Sequence, residues 1–416
     1  MSSPHVLIIG AGMSGLTLAQ QLKKNNISFT VFDRDMNSNA RSQGWALSVF
    51  GEAFDLIKTL MPSELGPVEQ TNHLLPLKLP PQFSFYDITN PDFRVGVIGD
   101  EKVLRANRQR MRHWLMQNID VQFNKRLLRV EEHDDKVTAY FEDGTSATGD
   151  FLVGAEGTRS VVRKHLLQGQ DVMKPLPVGS VFAEISLSGE EFSQQLTLSH
   201  SNYIVMDPRL RGDQQTVIFG ALNRVSPDGK TGHYYFILLW VDKDASRAVG
   251  EKRWFESASK EQLAAFARER TKNFPDHLRA LVNKVPTEGY NAPGFQLQGV
   301  DLEPEQLPAG RVLVIGDAAH SMAPFRALAA NTAFVDAFRL GEVLTRARDM
   351  QASGKALKDL IAAYNVDMVA RGKVASKASN SVLEAYSEGT PFVTFGKEAS
   401  PMPPKAVVLS DVSVIG

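Results

Sequence analysis

The stretch HVLII followed by GAGMSG, residues 5–15, constrains this chain more than any other. HVLII is a short, β-rich apolar run. LTLAQQLKKNN then places Leu16, Ala19 and Leu22 on one helical face, and ISFTVF, residues 27–32, reads as a second strand that ends at Asp33. Strand, glycine turn, helix and strand within about 30 residues make a βαβ unit. In a G-x-G-x-x-G turn, Gly10 permits the tight bend, Gly12 lets backbone approach a pyrophosphate, and Gly15 lets helix and strand pack closely. Phosphates then meet unpaired N–H groups at a helix start. Asp33 stands where a carboxylate accepts from ribose hydroxyls. The pattern implies dinucleotide binding and does not distinguish FAD from NAD.

The remaining chain must supply more than this unit, because 416 residues imply two or three domains. With 43% hydrophobic and 22% charged residues, the composition is that of an ordinary globular protein. A formal net charge of -1 gives no electrostatic reason for nucleic acid or an acidic membrane as partner. The absence of cysteine excludes disulfides, thiolate metal sites, thiol nucleophiles and cysteinyl-linked cofactors. No metal-spacing pattern is present. No secretory signal is read at MSSPHVLIIGAG. The longest apolar run, YYFILLWV, is far below the roughly 20 residues of a spanning helix. A cytoplasmic protein, monomer or homodimer, is expected.

NRQRMRHWLMQN, from Asn107, reads as a helix capped by that asparagine. Residues 126–154 read as a β-meander with hairpin turns at Asp134-Asp135 and Asp143-Gly144. From about 173 to 285, VGSVFAEISLS, YIVMD, TVIFGAL and HYYFILLWV are strands without helices between them, which predicts a separate antiparallel sheet. RVLVIG, ending at Gly316, returns to near-continuous apolar character, and residues 332–349 and 357–386 are amphipathic helices. The final Pro-punctuated stretch has no assignment. The expected organisation is α/β: a discontinuous Rossmann-like domain over 1–172 and 286–345, an inserted antiparallel β-sheet substrate domain over 173–285, and a C-terminal helical segment and tail over 346–416.

Two further motifs complete the pattern. DFLVGAEGTRSVVR, from Asp150, is a buried strand, a turn with Glu156 and Gly157, and a helix entrance. IGDAAHSMAPFRALAANTAF, from Ile315, runs through Gly316, Asp317 and Pro324 to a helix for which Asn331 is a fair cap. With GAGMSG, these three motifs resemble, in order and spacing, the class A flavoprotein monooxygenases, the family of p-hydroxybenzoate and salicylate hydroxylases and the tetracycline-inactivating monooxygenases. The resemblance spans about residues 5–340 and leaves the middle sheet uncovered. It implies a p-hydroxybenzoate hydroxylase-like fold, non-covalent FAD, and NADPH or NADH as transient reductant. By the same resemblance, Gly10, Gly12, Met13, Ser14 and Gly15 hold the pyrophosphate, and Asp33 with Arg34 the adenosine ribose. Arg41 approaches the flavin, Arg108 heads the flanking helix, and Glu156-Gly157 serves FAD and nicotinamide handling. Gly316 and Asp317 meet the ribityl chain, and Ala329, Ala330 and Asn331 lie along the flavin. No catalytic residue is assigned, since the cofactor carries the chemistry.

The family pattern continues P-x-x-G-x-G, whereas this chain has Ala327 and Ala329 in place of both glycines. Alanine keeps the N–H groups but adds a methyl and penalises positive φ. Either the backbone there is ordinary, or the flavin ring is displaced. Glu156 replaces the usual aspartate. The implied reaction is insertion of one oxygen atom from O2 through a flavin C4a-hydroperoxide, as hydroxylation or epoxidation, into a flat, apolar, electron-rich small molecule of the secondary-metabolite type. The alternatives are a flavin oxidase or dehydrogenase, and a flavin-binding scaffold repurposed for non-redox chemistry because of the alanines. Tyr203, Phe219, Tyr235, Phe236 and Pro324 are the candidate substrate contacts. Alternation puts Tyr234, Phe236, Leu238 and Trp240 on one face of their strand and Tyr235, Ile237 and Leu239 on the other. Arg209, Arg211 and Arg224 read as surface charges first and as partners of a phenolate or carboxylate second, and His320 as a structural hydrogen-bonder before a catalyst.

Overall fold

The computed structural model describes residues 4–40, 45–98, 102–242, 252–388 and 400–415. Two compact units divide the chain: Met1–Glu69, Arg108–Lys174 and Gln298–Asn380 form the first, and Gln70–Asn107, Pro175–Leu297 and Ser381–Gly416 the second. The expected boundaries near 172 and 286 become crossings at 174–175 and 297–298. Residues 70–107 join the second unit, and the C-terminal part is no segment of its own but divides at 380.

The first unit is built on a five-stranded parallel sheet. Its strand order is Val312–Val314, Phe151–Gly154, His5–Ile9, Ser28–Phe32 and Val121–Gln122. The three strands at one side of this order are buried almost end to end, as parallel strands covered on both faces must be. Phe151–Gly154, read from sequence as the end of a meander, therefore belongs to this sheet. The antiparallel meander proper is Leu127–Glu132, Val137–Phe141 and Ser146–Gly149. The Met13–Lys24 helix crosses the Leu328–Asp349 helix at Gly341, where a Cβ would lie 2.9 Å from Gln21 Cβ. Its last turn carries Lys23 and Lys24, cations that oppose the negative end of the helix dipole. A helix spanning Gly354–Ser387 follows.

The second unit holds a six-stranded sheet ordered Val178–Ser188, Thr231–Val241, Thr216–Val225, Asn202–Met206, Gln82–Asp87 and Val95–Ile98. All its pairings are antiparallel except Asn202–Met206 with Gln82–Asp87. The pairing of Gln82–Asp87 with a strand more than 100 residues later is what draws the 70–107 segment into this unit. A helix, Gly189–Leu198, interrupts the expected run of strands. It buries Phe192 and Leu196, four apart on one face. Helices Lys260–Arg270 and Ala280–Lys284 join it in one core with the sheet. The unassigned tail lies along this unit, with Lys78 N donating to Ser413 O at 2.9 Å and Ile415 N to Pro76 O at 2.9 Å. Among the described residues, no helix is long and apolar enough to cross a membrane.

Candidate cofactor site

The three glycines of the first loop have three different reasons to be glycine. Gly10 sits at φ +110°, where a Cβ would lie 2.4 Å from Ala155 O. At Gly15 a Cβ would lie 2.0 Å from Gly10 O, so the helix cannot otherwise approach the strand. Gly12 caps the Met13–Lys24 helix with no side-chain hydrogen bond, and within 4 Å of where its Cβ would be there is open space. A helix start with its amides uncapped and its approach open accommodates a phosphate. Met13 and Ser14 are buried in its first turn.

Asp33 is buried at the end of its strand. Its Oδ2 accepts from Ala11 N at 2.7 Å and its Oδ1 from Asp35 N at 2.8 Å. Beside it lies a residue the sequence reading missed, Arg112, 1% exposed on the Arg108–Met116 helix. Arg112 Nε donates to Ala11 O at 2.8 Å and Nη1 to Ser38 O at 2.9 Å. Its Nη2 stands 3.6 Å from Asp33 and 3.8 Å from Asp35. One side chain thus ties the glycine loop to the acidic turn. The available signal was its place beside Met111 and Leu115, on the apolar side of the helix. Arg34 is exposed, Arg108 is exposed at the head of its helix, and Arg41 lies outside the described residues.

In the second motif, Gly157 takes φ +81°, and the Glu156 carboxylate turns inward onto its own helix. It accepts from Ser160 Oγ, from Val161 N at 2.9 Å and from Val162 N at 3.3 Å. Burial pushes its pKa up, and these donors pull the other way. These bonds give the acid a capping role at its own helix start, where unpaired N–H groups are nearest. The motif reaches the third one by other atoms. Arg163 Nη1 donates to Ala318 O at 3.0 Å, and Thr158 and Ser321 hydroxyls meet at 3.0 Å. Glu156→Gln should therefore cost about 1 kcal/mol of stability, as lost caps do, and leave FAD affinity unchanged. Urea unfolding and an FAD titration measure the two; a loss of affinity with intact stability would return the residue to the cofactor.

In the third motif, Gly316 adopts φ +61°, and its Cα faces Ser14, whose Oγ would be 3.0 Å from an added Cβ. Asp317 follows at the start of a short helix, Asp317–His320. It is the one half-buried residue in a fully buried run from 312 to 323. Pro324 is exposed at the head of a single 3-10 turn. The two alanines divide. Ala327 takes φ 54°, ψ 22°, the left-handed geometry a glycine would occupy, whereas Ala329 and Ala330 are ordinary residues in the first turn of the Leu328–Asp349 helix. Asn331 is not the cap but lies inside that turn. Its Nδ2 donates to Ala327 O at 2.7 Å and Ser48 O at 2.9 Å, and its Oδ1 accepts from Phe50 N at 3.0 Å. These bonds hold Ala327 in a conformation that costs a non-glycine residue about 1–2 kcal/mol. Ala327→Gly should recover part of this, about 0.5–1 kcal/mol after the glycine entropy is deducted, seen as a raised thermal midpoint. No rise would mean the left-handed turn is unstrained.

The substrate candidates separate by sheet face. Tyr203 and Phe236 belong to the helix-covered core: the Tyr203 hydroxyl donates to Gln195 Oε1 at 3.0 Å, and the Phe236 ring meets Tyr290 edge-on at 5.8 Å. They are packing residues, because the core helices cover their face. Phe219 and Tyr235 share the opposite face, their ring centres 6.1 Å apart, with Phe182 5.7 Å from Tyr235. Arg105 Nη2 donates to the Tyr235 hydroxyl at 3.2 Å.

Taken together, the first unit gathers two uncapped helix starts, at Gly12 and Ala327, with carboxylates at Asp33 and Asp317. That donor set fits a dinucleotide carrying a pyrophosphate and a polyol. Among the described residues, no cluster of three or more metal-ligating side chains exists. Residues 100–379 match the family model described as FAD binding domain, and residues 8–47 match that of an NAD(P)-binding Rossmann-like domain. The chain is 39% identical over 375 residues to the FAD-dependent monooxygenase thnD of Trichoderma harzianum, covering 88% of this chain and 90% of that protein. It is 32% identical to the FAD-dependent monooxygenase dbaB of Emericella nidulans, covering 80% and 85% of the two chains. Among solved structures, 2,6-dihydroxypyridine-3-hydroxylase from Arthrobacter nicotinovorans superposes with a TM-score of 0.72 at 18% identity, over 97% of this chain and 98% of that one.

Proposed function

This chain belongs to the FAD-binding-domain family of FAD-dependent monooxygenases, and from that premise we propose that it spends NADH or NADPH to place one oxygen atom of O2 on a flat, electron-rich aromatic molecule of the secondary-metabolite type, by hydroxylation or epoxidation. When bound, FAD supplies hydride acceptance and oxygen activation. The chain's own residues bind and orient. Amides at the start of the Met13–Lys24 helix take the pyrophosphate. Arg112 keeps Asp33 and Ala11 in one arrangement at the adenosine end. Asp317 accepts from the ribityl hydroxyls. The helix beginning at Leu328, whose Ala327 cap makes no side-chain hydrogen bond, would offer its positive end to negative charge on the flavin. Phe182, Phe219 and Tyr235 offer an apolar surface that excludes water. The Tyr235 hydroxyl, already accepting from Arg105, is left to donate a hydrogen bond to an oxygen substituent of the substrate.

The observation that carries this reading is the meeting of three loops at the carboxyl edge of one parallel sheet. Gly10 lies against Ala155, and Gly316 against Ser14, each loop following its own strand. Ligands of open α/β sheets bind in that crevice. The test starts from purified protein loaded with FAD. Anaerobic NADH or NADPH should bleach its visible absorbance, and labelled O2 should leave one labelled atom in a phenol or naphthol product. An oxidised product without label would assign an oxidase or dehydrogenase instead. A loaded protein that neither nicotinamide bleaches, with or without aromatic probes, would sink the redox reading.

A further inference from the structure

One buried charge cluster ties the third motif to residues outside it. Asp336, fully buried on the Leu328–Asp349 helix, accepts through Oδ2 from Gly316 N at 3.0 Å and from His320 Nε2 at 2.6 Å. Its Oδ1 accepts from Arg371 Nη2 at 3.1 Å, on the Gly354–Ser387 helix. Asp367, one turn earlier on that helix, pairs with Arg371 Nη1. Tyr364 donates to the Asp336 carbonyl at 3.3 Å. Gly372 is flattened against the imidazole, since a Cβ there would lie 2.8 Å from His320 Cβ. The carboxylate therefore grips both ends of the Gly316–His320 segment, and Arg371 anchors that grip to a helix outside every motif.

We propose that Asp336, His320 and Arg371 are positioning residues for the cofactor: they fix the Gly316–Asp317 turn so that Asp317 meets the ribityl chain, which makes FAD affinity depend on a buried ion pair completed by the long C-terminal helix. The inference rests on the cofactor reading of Asp317. Burying these charges is costly, and a well-packed apolar cluster would stabilise the fold at least as well. What an apolar cluster cannot do is accept the Gly316 N–H, which pins a glycine at φ +61°.

Asp336 faces His320 from the Leu328–Asp349 helix, Arg371 faces the pair from the Gly354–Ser387 helix, and Asp317 lies on the histidine's own turn. Arg163 approaches from the second motif through Ala318 O. Burial opposes charge on His320, yet Asp336, and more weakly Asp317, hold its pKa above the usual value. The attraction is thus complete below the unfolded pKa of about 6.5 and lost as pH rises through the raised folded value. The titrating proton sits on Nδ1, which has no hydrogen-bond partner among the described residues. Deprotonation there leaves the Nε2–H on Asp336, so the pH effect is smaller than that of removing the carboxylate.

The experiment titrates apoprotein with FAD by flavin fluorescence from about pH 6 to pH 9, alongside circular dichroism of each variant. Asp336→Asn should weaken binding about tenfold or more and flatten the pH profile. Arg371→Gln should weaken it severalfold, and Arg371→Lys, which keeps the cation, should restore it. Folded Asp336→Asn with wild-type affinity and pH profile would overturn the inference. If that variant does not fold, the Arg371 pair decides, because its side chain is only part-buried: equal affinity for wild type, Gln and Lys overturns it. Wild-type protein that takes up no FAD would remove the cofactor reading itself.

Discussion

Replacing Arg112 by methionine is expected to cost about 3–4 kcal/mol of stability, near the lower end of what breaking a buried ion pair costs. Methionine keeps the length and apolar contacts, so the change isolates the guanidinium. Two carbonyls, Ala11 O and Ser38 O, lose their donors, and each buried orphan costs about 1–3 kcal/mol. Asp33 and Asp35 lose the cation 3.6 and 3.8 Å away. Those separations are too long for direct hydrogen bonds, which places the estimate below the upper end of the range. FAD affinity should fall with stability, because Ala11 and Asp33 belong to the loop and acid at the adenosine end. Urea denaturation of the apoprotein reads the first effect. A loss below about 1 kcal/mol would mean that Arg112 behaves as a solvated charge despite its burial.

Asp317→Ala should loosen FAD while leaving the apoprotein folded. A hydrogen bond to a charged group contributes about 1.5–3 kcal/mol, equivalent to a weakening of about tenfold to a hundredfold. The fold should be spared, because Asp317 is half-buried and the turn beside it is held by the Gly316 amide on Asp336. Fluorescence titration with FAD and a thermal melt without it separate the two quantities. Unchanged affinity would take the carboxylate out of the site. A collapsed apoprotein would make it a structural acid.

The roles of Gly10, Gly12 and Gly15 were legible in the sequence because each follows from local geometry: a bend, an open approach, a close crossing. Asp33 was legible for the same reason, since a strand end fixes where the next side chain stands. Arg112 was not. In a helix crowded with arginines it looks like any solvated cation, and only the return of Ala11 O and Ser38 O to the same spot makes it a clamp. Asn331 shows the opposite error. It has the right chemistry for a cap, but the helix starts three residues earlier and its amide serves Ser48 and Phe50, almost 300 residues away in sequence.

Alternation correctly split Tyr234, Phe236, Leu238 and Trp240 from Tyr235, Ile237 and Leu239, because strand side chains change face at every residue. Which face is core depended on helices Gly189–Leu198, Lys260–Arg270 and Ala280–Lys284 closing over one of them. The alanines of the third motif divide along the same line. Set beside the resembled family's third motif, the sequence shows that Ala327 and Ala329 stand where that pattern has glycines. Only the Asn331 bridge to Ala327 O decided that one alanine is forced left-handed and the other is not. By itself the sequence determined the N-terminal βαβ unit and its dinucleotide class through short-range spacing, and the resemblance carried by its three motifs supplied FAD and the family. Tertiary structure decided which charges are buried, which caps are real and which aromatic face is core, since those depend on residues that meet only after the chain has folded.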